Sequence, residues 1–216
     1  MFNFFLRNNF LFFFCLFFNF IFFVSCIFSH PVTWKDGHSL MIHSDSTSRG
    51  GMYHYSLTPK KSFGAHIMYF DDTDDTLWLA QHNRLMKRWY GHDYQGNVYV
   101  LSGIGLRSQR ATSYTSLHIG IQADWETQRW YTFFRSEYYL LDAAYITITP
   151  RLGVAPYIAE FDALHTWFIL ELNTVHTNHA VQSTLFPTLR VFKDNLLIDY
   201  GHNFKNSQKV TFMLHL

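Results

Sequence analysis

Histidine is the residue type in this chain with the widest chemical repertoire, and the sequence contains thirteen of them. Imidazole nitrogens bind copper and other transition metals. His30 could become the first residue of a processed chain and chelate copper through its amine and ring, with His38 or His43 nearby. The remaining histidines are scattered, without an HxH or HxxxH pair on a recognisable scaffold. The pattern therefore favours ordinary polar histidines, and we predict no metal site and no cofactor.

Serine beside histidine is the second arrangement with chemical potential. His38-Ser39 and His43-Ser44 are adjacent pairs, and a Ser–His pair can act as nucleophile and base in lipid hydrolysis. Adjacent residues on a strand point to opposite faces, however, and no orienting acid follows at a telling distance. We therefore predict no catalytic residues and a protein that is not an enzyme, with a membrane lipid hydrolase as an alternative.

Charged residues of both signs recur on the polar faces of neighbouring predicted strands. We expect them to form a network across the interior of the fold, made of Arg107, Asp124, Arg135, Glu137, Arg151, Glu171, Arg190 and Asp199. One interpretation is a salt-bridged plug, because buried charges are costly unless they are paired. The other is a narrow selectivity zone for a small polar solute or ion. The mixed signs favour the plug.

The elements that position these residues follow a period of two. From Ser113 to Trp125 apolar residues alternate with polar ones, which predicts a strand with one apolar and one polar face. Similar alternation continues around residues 98–107, 130–140, 146–154, 168–173 and 185–191, and further strands are expected at about 34–43, 51–58, 62–70, 76–89 and 196–202. Short polar turns separate them.

The first 29 residues differ from the rest. They are rich in phenylalanine, carry Arg7 as their single charge, and end in small residues, which predicts a cleaved secretory signal peptide. An uncleaved anchor is the alternative, although Asn19 shortens the apolar run below the roughly 20 residues that span a bilayer. Phe23–Cys26 also resembles a lipobox, which would place a lipid on Cys26. The predicted organisation is a signal peptide at 1–29 and one β-barrel domain at 30–216.

Composition distinguishes a membrane barrel from a soluble sandwich. Aromatic residues make up 19% of the chain and charged residues 15%, whereas soluble domains carry about a quarter charged residues. Aromatics near strand ends, at Trp34, Trp89-Tyr90, Trp125, Trp130-Tyr131, Tyr157 and Tyr200, suit the girdles of a membrane barrel. Lipid would then contact the apolar faces, and the polar faces would line the lumen. A soluble periplasmic barrel is the less favoured alternative.

Chain length sets the number of strands. Removing 29 residues from 216 leaves 187, and at about 10 residues per strand plus turns this allows ten to twelve. We predict an all-β, up-and-down antiparallel transmembrane β-barrel of about 12 strands, with 10 possible, and short turns on the periplasmic side.

The last strand gives a partner prediction. Val210, Phe212, Leu214 and Leu216 share one face, and an apolar terminal residue resembles the signal read by the outer-membrane barrel-assembly machinery. That signal usually ends in Phe or Trp, so Leu216 departs from it. The expected partners are this machinery and outer-membrane lipid, without nucleic acid, since the net charge is only +1.

Several stretches resemble an uncharacterised family of proteobacterial outer-membrane proteins. They are His30-Pro31-Val32, Asn83 to Trp89, Ala123 to Thr127, Leu164 to Trp167 and Pro187 to Arg190. The resemblance covers most of the mature chain and implies a place near copper or silver export genes, but it brings no functional residues with it. We therefore expect a non-enzymatic outer-membrane protein of a Gram-negative bacterium with a cell-envelope role linked to metal homeostasis. A narrow channel for a small solute or ion is the alternative.

Overall fold

The computed structural model describes residues 30–216 except 46, 72, 110–111, 142–143, 161–162 and 179. The signal peptide predicted at 1–29, with its alternatives of an anchor or a lipidated Cys26, lies outside the described residues.

Twelve β-strands account for most of the described chain, which confirms the predicted strand number. They are β1 His38–Ser44, β2 Ser48–Thr58, β3 Lys61–Phe70, β4 Asp75–Tyr90, β5 Tyr94–Gln109, β6 Thr112–Thr127, β7 Trp130–Leu140, β8 Ala144–Val154, β9 His165–His176, β10 Val181–Lys193, β11 Leu196–His202 and β12 Gln208–His215. Their lengths range from 7 residues in β1 and β11 to 16 in β4, β5 and β6. The wall is therefore tallest at β4–β6 and shortest around β11, β12 and β1.

Each strand pairs with its sequence neighbours, and β1 pairs antiparallel with β12, so the sheet closes into an up-and-down barrel. The seam runs from Ser39 opposite His215 to Ser44 opposite Val210. Two backbone hydrogen bonds extend it, one from the His38 N–H to the Leu216 carbonyl at 2.7 Å and one back at 2.9 Å. Closure removes the open edges that would otherwise leave backbone groups without partners.

Strand β6 shows the orientation of the two faces most clearly. Ile119 is 58% exposed, whereas its neighbours Ser116, His118 and Gln122 are buried inside the barrel. The same inversion runs around the wall, with large apolar side chains outside and polar ones inside. Such an arrangement is stable where lipid contacts the outer face. The fold is therefore a transmembrane β-barrel, as the alternation predicted.

Aromatic residues of β4 to β7 cluster at one end of the outer surface. Trp89, Tyr90, Trp125 and Trp130 are exposed there, and Tyr94 stacks on Trp125 with ring centroids 4.5 Å apart. Amphipathic aromatic rings favour the interface between lipid and water. The prediction was wrong for Tyr131, which is buried and points into the lumen because the alternation places it opposite Trp130.

The two ends of the barrel differ. At one end, called the terminal end here, the chain enters β1 and leaves β12; the other is the distal end. The strand expected to begin at residue 34 begins instead at His38, because Trp34 to Gly37 form a turn in which Asp36 has a φ of 64°. At the terminal end residues 155–164 form the longest connection between strands, whereas the other four connections there have two or three residues.

Within the described ranges, no helix is long and apolar enough to cross a membrane.

Candidate functional site

The lumen of the barrel is the candidate site, because it gathers buried groups that can form ion pairs and hydrogen bonds. Arg107, Glu171, Arg190 and Asp199 are all less than a tenth exposed. Period-two alternation puts these side chains inside, since their strand neighbours face outward.

The densest group of charges lies on β8 to β12. The Arg190 guanidinium binds Asp199 with two hydrogen bonds of 2.7 and 2.8 Å, and Arg151 binds Glu171 at 2.8 Å and Asp199 at 3.3 Å. Lys209 binds the second oxygen of Glu171. Three cations thus surround two carboxylates, and the contacts from β8 to β11 and from β12 to β9 reach past intervening strands.

Aromatic rings cover the same group from one side. Arg190 lies over the ring of Tyr131 at 4.8 Å, and Arg151 lies over Phe133 at 4.9 Å. The negative face of an aromatic ring attracts a guanidinium. These rings therefore hold the arginine planes in place while leaving the guanidinium edges for the carboxylates.

A chain of neutral and charged hydrogen-bonding groups crosses the opposite wall. His54 contacts Gln81 at 2.9 Å, Gln81 contacts His118 at 3.4 Å, and His118 contacts Glu137 at 3.1 Å. His118 also stacks on Tyr139 at 4.5 Å between centroids. The side chains come from β2, β4, β6 and β7, so this series of side-chain contacts links four strands.

The N-terminal segment, residues 30–37, folds back into the barrel at the terminal end. Val32 is fully buried against Leu85, Tyr99 and Leu101. The Thr33 N–H donates to Ser56 Oγ at 2.9 Å, and Ser62 Oγ donates to the Pro31 carbonyl at 2.7 Å. The segment therefore occupies part of the mouth at that end.

His30 lies at the tip of this segment. Its Nε2 is 2.9 Å from the side chain of Gln95, and its Nδ1 is 3.5 Å from Asp124. Burial lowers the pKa of the His30 imidazole well below its ordinary value, and repulsion from Arg88, His215 and Arg190 adds to that shift. The neutral imidazole is therefore the form that suits this position.

The eight residues predicted to form a lumen network all face the interior, but they fall into four groups. Arg151, Glu171, Arg190 and Asp199 belong to the charged group on β8 to β12. Arg107 binds Asp75, and Asp124 meets Asn97 at 2.6 Å as well as His30. Arg135 binds Gln122 at 2.5 Å, beside Glu137 in the next row.

Sequence reasoning missed three partners of these groups. Asp75 ends the acidic run Asp71 to Asp75 and precedes the strand expected at 76–89, although it opens β4 and is fully buried. Lys209 precedes Val210, the first residue considered in the last strand. The inward path of residues 30–37 has no periodic signal.

A cavity of about 160 Å³ lies between these groups. Its lining includes Gln122, Arg135 and Thr149 with the charged group on one side, and several histidines and methionines of β1 to β3 on the other. Polar and charged side chains thus border this cavity on both sides.

The pairs considered for lipid hydrolysis are separated. His38 contacts the Tyr53 hydroxyl at 2.6 Å, while Ser39 is buried on the lumen side. Within the part of the chain that the structure describes, no group of three or more His, Cys, Asp or Glu residues is placed to hold a metal ion.

Comparisons with known proteins add little to this geometry. No family model matches the chain, and no curated protein matches it. A KdgM porin in complex with disordered oligogalacturonate is similar over 83% of this chain and 97% of its own, with 7% identity and a TM-score of 0.49. A chain from a study of the in-meso crystallization of membrane proteins covers 83% of this chain and 82% of its own, with 12% identity and a TM-score of 0.43. Similarity at this level carries no conclusion about function.

Proposed function

We propose that the chain is a non-enzymatic outer-membrane barrel that admits a small polar solute or ion through a narrow lumen. The N-terminal segment, freed at His30 by removal of residues 1–29, closes the terminal end. In this proposal the terminal end faces the periplasm. Outer-membrane lipid and the barrel-assembly machinery, which reads the last strand, are its expected partners.

The small cavity with polar and charged lining residues supports this proposal. A cavity of about 160 Å³ between paired charges is too small for the wide aqueous path of a general porin. The charges nevertheless leave polar atoms along the interior, which an ion or a molecule of a few heavy atoms could contact in place of water.

A sealed barrel is the second candidate, and the charged group on β8 to β12 favours it. Two of its pairs, Arg151–Asp199 and Lys209–Glu171, join strands that are not neighbours, and such cross-lumen contacts stiffen the wall. In a sealed barrel the eight lumen residues stabilise the fold without selecting a solute. The wider role in metal homeostasis also stays a proposal, because none of the comparisons concerns metals.

Localisation is tested first, by expressing the full chain, isolating outer membranes and comparing unheated with boiled samples on a gel. We expect the protein in the outer-membrane fraction, cleaved after Ser29, with a mobility that changes on boiling. A soluble periplasmic protein without a mobility change would contradict the proposal.

Conductance in a planar bilayer then separates the channel from the sealed barrel. Val32→Asp places a carboxylate against Leu85, Tyr99 and Leu101 and should displace the N-terminal segment. Lys35→Gln is the matched control, since it makes the same change of one charge unit at an exposed position of that segment. We expect small, rare openings for the wild type and the control, and frequent openings for Val32→Asp. A silent Val32→Asp variant that still shows the heat-dependent mobility would favour the sealed barrel.

A further inference from the structure

Methionine and histidine side chains share one wall of the lumen, on β12, β1, β2 and β3. Met213 is paired with Met41, Met41 with Met52, and Met52 with His66, so four side chains form one continuous row across four strands. Met41, Met213 and His66 are buried, and Met52 packs against the two buried methionines. The register thus brings three thioethers and one imidazole side by side.

His43 and Gly50 extend this row toward the distal end. The rings of His43 and His66 are 5.6 Å apart, and a Cβ at Gly50 would come within 3.2 Å of His43 Cε1. The missing side chain at Gly50 lets the His43 ring lie across β2 toward His66. Met68, paired with Gly50 on β3, completes the second row.

Three of the four nitrogen atoms of the His43 and His66 rings lack hydrogen-bond partners. His66 is 3% exposed, and neither Nδ1 nor Nε2 meets a donor or acceptor among the described residues. Nδ1 of His43 is in the same position. A buried polar group without a partner is destabilising, so such a group calls for a ligand. These nitrogens border the cavity, as do Met41, Met52 and Met213.

We propose that Met41, Met52, Met213, His43 and His66 form a binding site for a soft monovalent metal cation, Cu⁺ or Ag⁺. Thioether sulfur is a soft ligand that selects Cu⁺, and imidazole is a good copper ligand. The five side chains are neutral as ligands and therefore suit a singly charged ion better than a divalent one. Zn²⁺ and Ca²⁺ sites usually include thiolates or carboxylates, which this set lacks.

Simple space filling is the alternative explanation, since methionine fills irregular gaps well. The distribution of methionine speaks against it. Five methionines lie among the described residues; four of them, Met41, Met52, Met68 and Met213, face this wall, while Met86 is 53% exposed on the outer face. Leucine or valine would fill the same space without offering sulfur. The proposed metal site does not depend on the proposed channel activity, because a sealed barrel could bind the ion equally well.

The test uses the protein isolated from membranes in detergent, with ¹³C-labelled methionine methyl groups and each signal assigned by a Met→Leu variant. Thiols are first blocked with N-ethylmaleimide, so that Cys15 and Cys26 cannot compete if the leader is retained. Silver nitrate is added in chloride-free buffer. We expect the signals of Met41, Met52 and Met213 to shift together and saturate at one ion per chain, while the signal of Met86 stays in place.

Two variants separate binding from folding. Met41→Leu with Met52→Leu nearly conserves volume and should keep the heat-dependent mobility while weakening Ag⁺ binding at least tenfold. Met86→Leu is the matched control and should bind as the wild type does. If the double variant does not fold, His66→Gln replaces it, with the same expected loss.

The proposal is overturned if Met86 shifts over the same silver concentrations as the lumen methionines. It is also overturned if the folded variants bind Ag⁺ as tightly as the wild type, or if equimolar Zn²⁺ displaces the silver.

Discussion

The charged group on β8 to β12 predicts an asymmetry between two substitutions of one ion pair. Asp199→Asn removes a carboxylate and leaves Arg151, Arg190 and Lys209 facing Glu171 alone. Arg190→Met removes a cation and leaves two cations with two carboxylates. Asp199→Asn should therefore destabilise the barrel more than Arg190→Met does.

The magnitudes follow from the contacts that each variant keeps. In Asp199→Asn the Arg190 guanidinium loses its negative partner and one of its two acceptor oxygens, and its side chain is only 8% exposed, so a loss of about 3–5 kcal/mol is expected. In Arg190→Met the Asp199 carboxylate keeps Arg151 at 3.3 Å, and the loss should be about 1–2 kcal/mol.

Urea titration in lipid vesicles, followed by tryptophan fluorescence, measures both losses as changes in the free energy of unfolding. Asp71→Asn is the control, because its ion pair with Arg49 is exposed and should contribute less than about 1 kcal/mol. The double variant should be more stable than Asp199→Asn alone. Equal losses for the two single variants, or a double variant less stable than either, would refute the charge count and indicate a lumen in which water screens these pairs.

Three further predictions concern other parts of the barrel. Gly105→Ala should destabilise the barrel by about 1–3 kcal/mol, because a Cβ there would lie 1.7 Å from the Trp78 carbonyl oxygen. Gly120→Ala, with its nearest contact at 3.0 Å, should be less destabilising. The temperature at which the fast-migrating gel band is lost measures both variants, and equal midpoints would contradict this explanation from packing. Because the pKa of His30 is lowered in the docked N-terminal segment, docking is strongest above the ordinary pKa of about 6.5 and weakens as the pH falls through that value. Channel openings in a planar bilayer should therefore increase from pH 7 to pH 5 in the wild type but not in His30→Gln. An identical pH response in both would remove His30 from the explanation. Leu216→Phe should raise, and Leu216→Asn should lower, the fraction of newly made chains that gain heat-dependent mobility. No difference between the two variants would argue against recognition of Leu216 by the barrel-assembly machinery.

Local alternation was enough to predict the barrel, because the side of each residue depends only on its position along its own strand. It placed Arg107, Arg151 and Glu171 inside for that reason. It could not give their partners, since a contact between β8 and β11 depends on how the closed wall curves. Asp75 was missed because an acidic run resembles a loop whether or not its last residue opens a strand.

The methionine and histidine wall shows the same limit more sharply. Met41 and Met213 lie near opposite ends of the chain and become neighbours only when β1 closes on β12. The spacing of the histidines along the sequence therefore shows only scattered residues. The sequence did show where the methionines were, but which of them become neighbours depends on strand register, which alternation leaves open by steps of two residues.

The low wall at β11, β12 and β1 has a consequence for the surrounding lipid. Seven residues rise about 23 Å along a strand, and a tilt of about 40° reduces this to about 18 Å, against an apolar band of about 25 Å in barrels of this kind. Acyl chains beside this sector must shorten or tilt to match it, while those beside β4 to β6 need no adjustment. The barrel wall is thus shorter on one side of the barrel than on the other. The barrel should insert faster into bilayers of short-chain lipids than into thick ones. The side on which the bilayer is thinned should also determine how the barrel is oriented toward neighbouring proteins.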